Sequence, residues 1–102
     1  MAQLIALYHT PHDPSAFDAY FAGTHIPLAR KIPGLVRQES SVGPVMTPDG
    51  PAPYHAVGVL TFESMESLQA ALQSPEGQAA SADLANFATG GATVLVFEHR
   101  QV

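Results

Sequence analysis

The sequence has no cysteine and very few basic residues. Without cysteine the chain can form no disulfide and can perform no thiolate chemistry. Only four lysine and arginine residues occur, and the net charge is −5. They are scattered at Arg30, Lys31, Arg37 and Arg100. Because a phosphate backbone is bound by a continuous basic face, we expect no nucleic acid partner.

The sequence also has no long apolar run. No segment approaches the roughly 20 apolar residues that a membrane helix needs, so we expect no membrane partner. The opening stretch from Met1 to Tyr8 is apolar but has no basic start, which favours a strand over a signal peptide. The expected location is therefore the cytoplasm. The chain has 102 residues with no internal repeat and no linker, which predicts a single domain over residues 1–102.

The segment from Phe17 to Leu28 combines helical periodicity with unusual chemistry. Its apolar and aromatic residues recur three or four positions apart, which predicts one buried stripe along a helix. This stripe consists of Phe17, Tyr20, Phe21, Thr24 and Leu28. At about 100° per residue, His25 falls at the edge of the stripe, beside Phe21 and Leu28.

The limits of this first helix can be predicted from its prolines and glycines. It should begin near Pro14 or Ser15 and end near Ile32, because Pro33-Gly34 supplies a helix breaker and a flexible residue for chain reversal. Pro27 cannot donate a hydrogen bond to the carbonyl of Gly23, so the helix is expected to kink there or to narrow to irregular turns. A free carbonyl and an imidazole are thus expected within one turn of each other.

His25 has two interpretations. In the structural one, its ring packs on Phe21 and Leu28 and bonds a backbone carbonyl such as that of Gly23. In the functional one, it transfers a proton or contacts a ligand in a pocket between this helix and a sheet. Histidine is suited to that task because its side chain titrates near neutral pH.

Four strands are predicted from alternating or continuous apolar runs. The strongest alternation places Tyr54 on one face with Ala56, and His55 on the other face with Val57. Residues 43–53 are rich in glycine and proline, and they predict a long loop between the second and third strands. The predicted strands are Leu4 to Tyr8, Leu35 to Val42, Tyr54 to Phe62 and Thr93 to Phe97.

Two further helices lie between the third and fourth strands. Ser64 and Ser74 are predicted to cap them, and the second should end at Gly90-Gly91. The resulting order of strand, helix, strand, strand, helix, strand predicts a ferredoxin-like α+β fold with a four-stranded antiparallel sheet. Helices cover one face of such a sheet, whereas the first, third and fourth strands here are apolar on both faces. We therefore expect a homodimer in which two sheets pack together as one α/β barrel.

Three stretches of the sequence form a set of motifs. They are Tyr8-His9, the run from Phe17 to Leu35 with His25-Ile26-Pro27 and Pro33-Gly34 inside it, and Asp83-Leu84-Ala85-Asn86-Phe87. Together they resemble the EthD family of dimeric α+β barrels, and the resemblance covers nearly the whole chain. It implies a homodimer with one pocket per subunit and a link to catabolism of small organic compounds such as ethers. It leaves the reaction open, because related barrels include isomerases, cofactor-free oxygenases, polyketide cyclases and haem-degrading enzymes.

The resemblance matches His25 and Asp83 to a histidine and an acid of the family. Asp83 and Phe87 lie four residues apart on one face of the last helix, so the carboxylate could border an apolar layer. An Asp83 that reaches His25 would fix the imidazole tautomer that a general base needs, whereas the alternative is a solvated carboxylate. The candidate ligand-binding residues are Tyr8, Tyr20, Phe21, Leu28, Tyr54 and Phe87.

No cofactor is predicted from motifs. His9, His12 and His99 lack acids or cysteines at ligand spacing, so no metal site is expected, and no flavin or nicotinamide fingerprint occurs. Three hypotheses remain. The first is an enzyme that moves a proton of an apolar, oxygen-bearing compound through His25, such as a cofactor-independent isomerase, lyase or oxygenase. In this hypothesis Tyr8, Tyr20 or Tyr54 orients the substrate. The others are a non-catalytic binding or accessory protein and a haem protein with His25 as ligand.

Overall fold

The structure is a computed structural model that describes residues 1–102. The strands are β1 (Ala2–His9), β2 (Leu35–Ser40), β3 (Met46–Thr47), β4 (Gly50–Pro51), β5 (Tyr54–Phe62) and β6 (Ala92–Glu98). The main sheet has four antiparallel strands in the order β2-β5-β1-β6, and a two-stranded ribbon is formed by β3 and β4. Each main strand lies where the sequence predicts it, with ends shifted by at most two residues. The predicted α+β, ferredoxin-like class is confirmed.

The helices begin at the predicted caps. The Ser64 hydroxyl accepts a hydrogen bond from the Ser67 amide, and the Ser74 hydroxyl accepts one from the Gly77 amide, so each satisfies a free N–H of a first turn. The last helix ends at Phe87, one turn earlier than predicted. The helical segments are α1 (Pro14–Tyr20), a π-helical turn (Phe21–His25), α2 (Ile26–Arg30), α3 (Met65–Gln73) and α4 (Pro75–Phe87).

The first helical segment is irregular next to Pro27, as predicted, but the predicted course of its buried stripe was wrong. A π-helical turn precedes Pro27, and within it the Ile26 amide donates to the Phe21 carbonyl, five residues back. This turn holds one residue more than an α-helical turn, so it shifts the buried face of everything that follows by one position. The predicted stripe continued through Thr24 and Leu28, but the buried residues after Phe21 are His25, Ala29 and Ile32.

The core lies between the helices and one face of the sheet. Burial alternates along β1, where Ala2, Leu4, Ala6 and Tyr8 face the helices and are buried. Phe17, Phe62 and Leu68 are almost fully enclosed. The other face carries Ile5 and Leu7, and on β6 it exposes Leu95 by 48% and Phe97 by 38%. The predicted uncovered apolar face is therefore present in the chain.

A bulge in β5 overturns the predicted alternation near Tyr54. Tyr8 pairs with Ala56, but the next residue, His9, pairs with Tyr54. The extra residue places Tyr54 beside His9 on the uncovered face, where the ring centroids lie 5.2 Å apart. His55 instead contacts Phe17, at a centroid distance of 4.9 Å.

Candidate active site

His25 is brought into the core by the π-helical turn. The residue is only 7% exposed. The ring lies 4.6 Å from the ring of Phe87 and 6.0 Å from that of Phe21, measured between centroids. These aromatic neighbours fix the plane of the imidazole, so its two nitrogens point in set directions.

Asp83 of α4 meets one of these nitrogens. His25 Nδ1 lies 2.9 Å from Asp83 Oδ2, and both side chains are buried. Because an ionised carboxylate only accepts hydrogen bonds, the proton of the neutral imidazole is held on Nδ1 and Nε2 keeps its lone pair. The alternative in which a carbonyl such as that of Gly23 satisfies the ring is not found, because the ring bonds Asp83.

The second oxygen of Asp83 is held by two further donors. Tyr20 Oη donates to Asp83 Oδ1 at 2.6 Å, and Asn86 Nδ2 donates to the same oxygen at 2.9 Å. Burial on its own would raise the pKa of Asp83, but hydrogen bonds from Tyr20, Asn86 and His25 outweigh it and hold the pKa below its usual value. The hydrogen bond to Asp83 also raises the pKa of Tyr20. Asp83 is therefore an anion, and both of its carboxylate oxygens accept hydrogen bonds.

Asn86 was not predicted as a site residue. It lies three positions after Asp83 on α4, a spacing that places two side chains on the same face of a helix. That spacing, and its place inside the motif Asp83-Leu84-Ala85-Asn86-Phe87, are the signals in the sequence that point to it.

Tyr8 lies on the other side of the imidazole. Its hydroxyl is 3.5 Å from His25 Nε2, at the outer limit of a hydrogen bond. Its ring contacts Phe17, Phe21 and Phe87 at centroid distances of 5.4, 5.3 and 5.6 Å. Burial, together with the charge of Asp83, raises the pKa of Tyr8 to about 12. The phenol is thus a neutral donor at neutral pH.

A cavity of about 470 Å³ lies between the sheet and the helices. Tyr8, Phe21 and His25 form part of its wall, and most of the other lining residues are apolar, including Leu4, Leu60 and Leu84. Its polar lining residues include Arg30, Gln38, Ser40 and Ser81. This volume is within the range of small-molecule sites.

The structure places the predicted site residues in three groups. Tyr8, Phe21 and His25 line the cavity, and Asp83 adjoins it through His25. Tyr20 and Phe87 line a second, smaller cleft of about 200 Å³, behind the imidazole–carboxylate pair. The other two residues line neither space. Leu28 is half-buried on α2, and Tyr54 lies on the uncovered face of the sheet.

The chain contains no group of three or more histidine, cysteine or acidic side chains arranged to hold a metal ion. His9 bonds Thr93 on the neighbouring strand β6, and His12 is exposed. His25 Nε2 is the imidazole nitrogen on the cavity wall that could reach a bound molecule or a haem iron.

None of the helices combines the length and the apolar character required to span a bilayer.

The chain is similar to several known proteins. A family model described as the EthD domain matches residues 9–91. An uncharacterised 11.0-kDa protein from the thcB–thcC intergenic region of Rhodococcus erythropolis is 40% identical over 103 residues, which cover 100% of this chain and 98% of that protein.

Solved structures agree. An ethyl tert-butyl ether D (EthD) family protein from Bacillus halodurans C-125 is 37% identical with a TM-score of 0.89, over 98% of this chain and 99% of that one. A dimeric ferredoxin-like protein of unknown function from Thermobifida fusca has a TM-score of 0.69 at 16% identity, over 94% of this chain and 88% of that one, and is similar in fold alone. The chain belongs to the EthD family.

Proposed function

We propose that the cavity binds a small, mostly apolar, oxygen-bearing organic molecule and that His25 exchanges a proton with it. The observation that carries this proposal is the buried pair of His25 and Asp83 on the wall of an apolar cavity. Asp83 holds the proton on Nδ1, so Nε2 can accept one from the ligand. The fixed carboxylate then stabilises the imidazolium that forms.

The surroundings of the pair support a chemical role over a purely structural one. A histidine with a purely structural role needs only one hydrogen-bond partner for each ring nitrogen. Here the partner of Nδ1, the Asp83 carboxylate, is itself held in place by Tyr20 and Asn86. This arrangement resembles the way in which catalytic imidazoles are oriented by a third group. Proton transfer of this kind needs no redox cofactor, so we propose a cofactor-independent reaction.

The family supports a place for this chemistry in the catabolism of small compounds. The related Bacillus halodurans protein carries ethyl tert-butyl ether in its family name. The largely apolar lining of the cavity here suits a hydrophobic molecule with few polar atoms. We accordingly propose ethers, lactones and aromatic ketones as the first classes of ligand to test.

The test is a panel of these compounds, with binding followed by thermal shift and turnover followed by mass spectrometry. We expect conversion by the wild-type protein and a loss of about 100-fold or more in the rate for His25→Gln. His55→Gln is the matched control, because His55 also pairs with a carboxylate, Asp18, at 2.7 Å but does not line the cavity. That variant should keep full activity.

Two outcomes would replace this proposal. Compounds that bind without any conversion would indicate a binding or accessory protein that shelters its ligand. A Soret band on addition of haemin, lost in His25→Gln, would indicate a haem protein.

We also propose that the protein is a homodimer that covers the apolar sheet face. The exposed Leu95 and Phe97 support this, as does the similarity in fold to a protein described as dimeric.

A further inference from the structure

Tyr8 is the one tyrosine whose hydroxyl is free to meet a ligand beside His25. Tyr20 is on the other side of the pair and already donates to Asp83 at 2.6 Å. Tyr54 lies on the uncovered face of the sheet and lines neither cavity. Tyr8 lines the cavity together with His25.

The Tyr8 hydroxyl has a fixed position and a weak partner. Three aromatic rings, those of Phe17, Phe21 and Phe87, hold its phenol ring. The hydroxyl reaches only His25 Nε2, and the 3.5 Å separation makes that hydrogen bond weak. A ligand that hydrogen-bonds both Tyr8 and His25 therefore breaks only this one weak hydrogen bond.

The protonation states of the two groups are complementary. The pKa of Tyr8, raised to about 12, keeps its phenol protonated at the pH at which a histidine base works. Nε2 carries a lone pair because Asp83 holds the proton of Nδ1. A base and a neutral donor thus lie side by side in apolar surroundings, where a hydrogen bond to a developing negative charge is strongest.

We propose that the substrate is a carbonyl compound with a C–H bond next to its carbonyl group, and that Tyr8 donates a hydrogen bond to the carbonyl oxygen while His25 Nε2 removes the proton. This inference rests on the proposed function above. Such a compound presents its acidic hydrogen and its oxygen on neighbouring atoms, which suits two protein groups that lie 3.5 Å apart.

The electron balance of this step needs no further reagent. The C–H bond breaks and its proton goes to Nε2, while the electron pair forms a carbon–carbon double bond and the carbonyl electrons move onto the oxygen. The resulting enolate oxygen accepts the hydrogen bond from Tyr8. Return of a proton from Nε2 to the same carbon gives exchange with solvent, and return to a conjugated carbon gives a shifted double bond. In this role Tyr8 is a catalytic residue, since it touches the reacting oxygen.

The test is hydrogen–deuterium exchange of the hydrogens next to the carbonyl of 2-tetralone in deuterated buffer, followed by NMR. We expect the wild-type protein to accelerate exchange above the buffer rate and Tyr8→Phe to lose about 100-fold or more of that acceleration. His25→Gln should fall to the buffer rate. Tyr54→Phe is the matched control and should exchange as fast as the wild type.

A binding measurement on the wild-type protein stands beside this test, so that a variant that fails to fold does not decide the outcome. The phenol 2-naphthol mimics the enolate when it is ionised, and ionisation changes its absorption spectrum. We expect the wild-type protein to bind it as the anion at a pH well below its ionisation in water.

The two proposals fail in different ways. Exchange that depends on His25 but is unchanged in Tyr8→Phe would overturn the role of Tyr8 and leave proton transfer by His25 in place. Exchange that persists in His25→Gln would overturn the proposed function itself. Binding of 2-naphthol as the neutral phenol, with no acceleration of exchange, would overturn the enolate inference.

Discussion

At the scale of single residues, the candidate site depends on how Asp83 is kept ionised inside the protein. A buried carboxylate is unfavourable unless its oxygens are hydrogen-bonded. Here Tyr20 and Asn86 occupy Oδ1 while Oδ2 receives His25. The same contacts that stabilise the anion also fix its direction, so the tautomer of His25 depends on residues that do not touch the cavity.

This arrangement predicts a specific loss of stability in acid. The pKa of folded Asp83 lies below its ordinary value of 3.8, so the carboxylate stabilises the fold fully above that pH and loses its contribution as the pH falls through the folded pKa. We expect Asp83→Asn to be less stable than the wild type at neutral pH. The difference should shrink as the pH drops below 3.8.

Urea unfolding over this pH range measures the effect. Asp49→Asn is the control, because Asp49 is exposed and its side chain has no hydrogen-bond partner, and its difference from the wild type should stay near zero at every pH. A stability difference for Asp83→Asn that stays constant from neutral pH into acid would contradict the assigned ionisation of Asp83.

The sequence indicated which residues to examine but not what they contact. Asp83 and His25 are 58 residues apart, so their contact depends on how α4 packs against the π-helical turn, and no local spacing encodes that packing. Tyr20 was a candidate ligand-binding residue because its aromatic ring carries a polar hydroxyl. Its ring instead stacks on Phe87 and its hydroxyl donates to Asp83, which only the packed structure reveals.

At the scale of elements, the π-helical turn decides which residue of the first helical segment enters the site. A continuous α-helix with the face of Phe17 buried would place Thr24 in the core and His25 at its edge. The turn contains one extra residue, and in the structure His25 is buried and Thr24 is exposed. Pro27 favours this distortion because it cannot complete a regular helix at this point.

A pair of single-residue deletions tests this element. Deleting Gly23 removes the extra residue, so the segment can close into a regular α-helix with Phe17 and His25 still on the same face. Gly23 is exposed, and nothing lies within 4 Å of the position that its Cβ would occupy, so its removal disturbs no side-chain packing. We expect this variant to fold and to keep the contact between His25 and Asp83, seen by NMR as a protected proton on Nδ1.

The matched control deletes Ala19, which is also exposed but lies in the regular part of α1. Either deletion leaves seven positions between Phe17 and His25, so closing the turn keeps His25 on the face of Phe17 in both variants. Deleting Ala19, however, also rotates Tyr20 and Phe21 by about 100° relative to Phe17, which removes the hydrogen bond from Tyr20 to Asp83 and the packing of Phe21. It should therefore cost about 3 kcal/mol more unfolding free energy than deleting Gly23. Equal damage from both deletions would show that the turn does not close when a residue is removed.

The same kind of irregularity limits sequence prediction in the sheet. The period of two along β5 predicted which of its residues share a face, and the predicted limits of β5 match the structure. One extra residue at the start of β5 reverses the faces of Tyr54 and His55. Periodic patterns identify elements well, but a single inserted residue leaves almost no trace in them, whether in a helix or in a strand.

At the scale of the whole molecule, the uncovered face of the sheet determines how the protein is expected to assemble. Ile5 pairs with Leu95 across β1 and β6, and Phe97 continues the same face. Leu95 and Phe97 are 48% and 38% exposed, and Val57 and Val59 on β5 are half-buried. A two-fold axis through this face would bring identical apolar surfaces together and remove them from water.

Charge placed on this face should therefore separate the subunits. We expect the wild-type protein to show twice its 10.7-kDa chain mass in light scattering at micromolar concentration. Leu95→Asp places two unpaired carboxylates in a symmetric interface, which should raise the dissociation constant by roughly 100-fold or more. Val42→Asp is the control, because Val42 is 96% exposed in the loop after β2, and that variant should remain dimeric.

The site gives this measurement a second readout. The residues that carry the proposed chemistry all come from one chain, and they lie on the side of the sheet opposite Leu95. If Leu95→Asp gives a folded monomer, that monomer should retain the Nδ1 proton signal of His25. Loss of the signal in a folded monomer would indicate that the sheet of the second subunit supports the helices across the barrel. A wild-type protein that runs as a stable monomer at micromolar concentration would contradict the assembly itself and leave the apolar face of β6 without its expected partner.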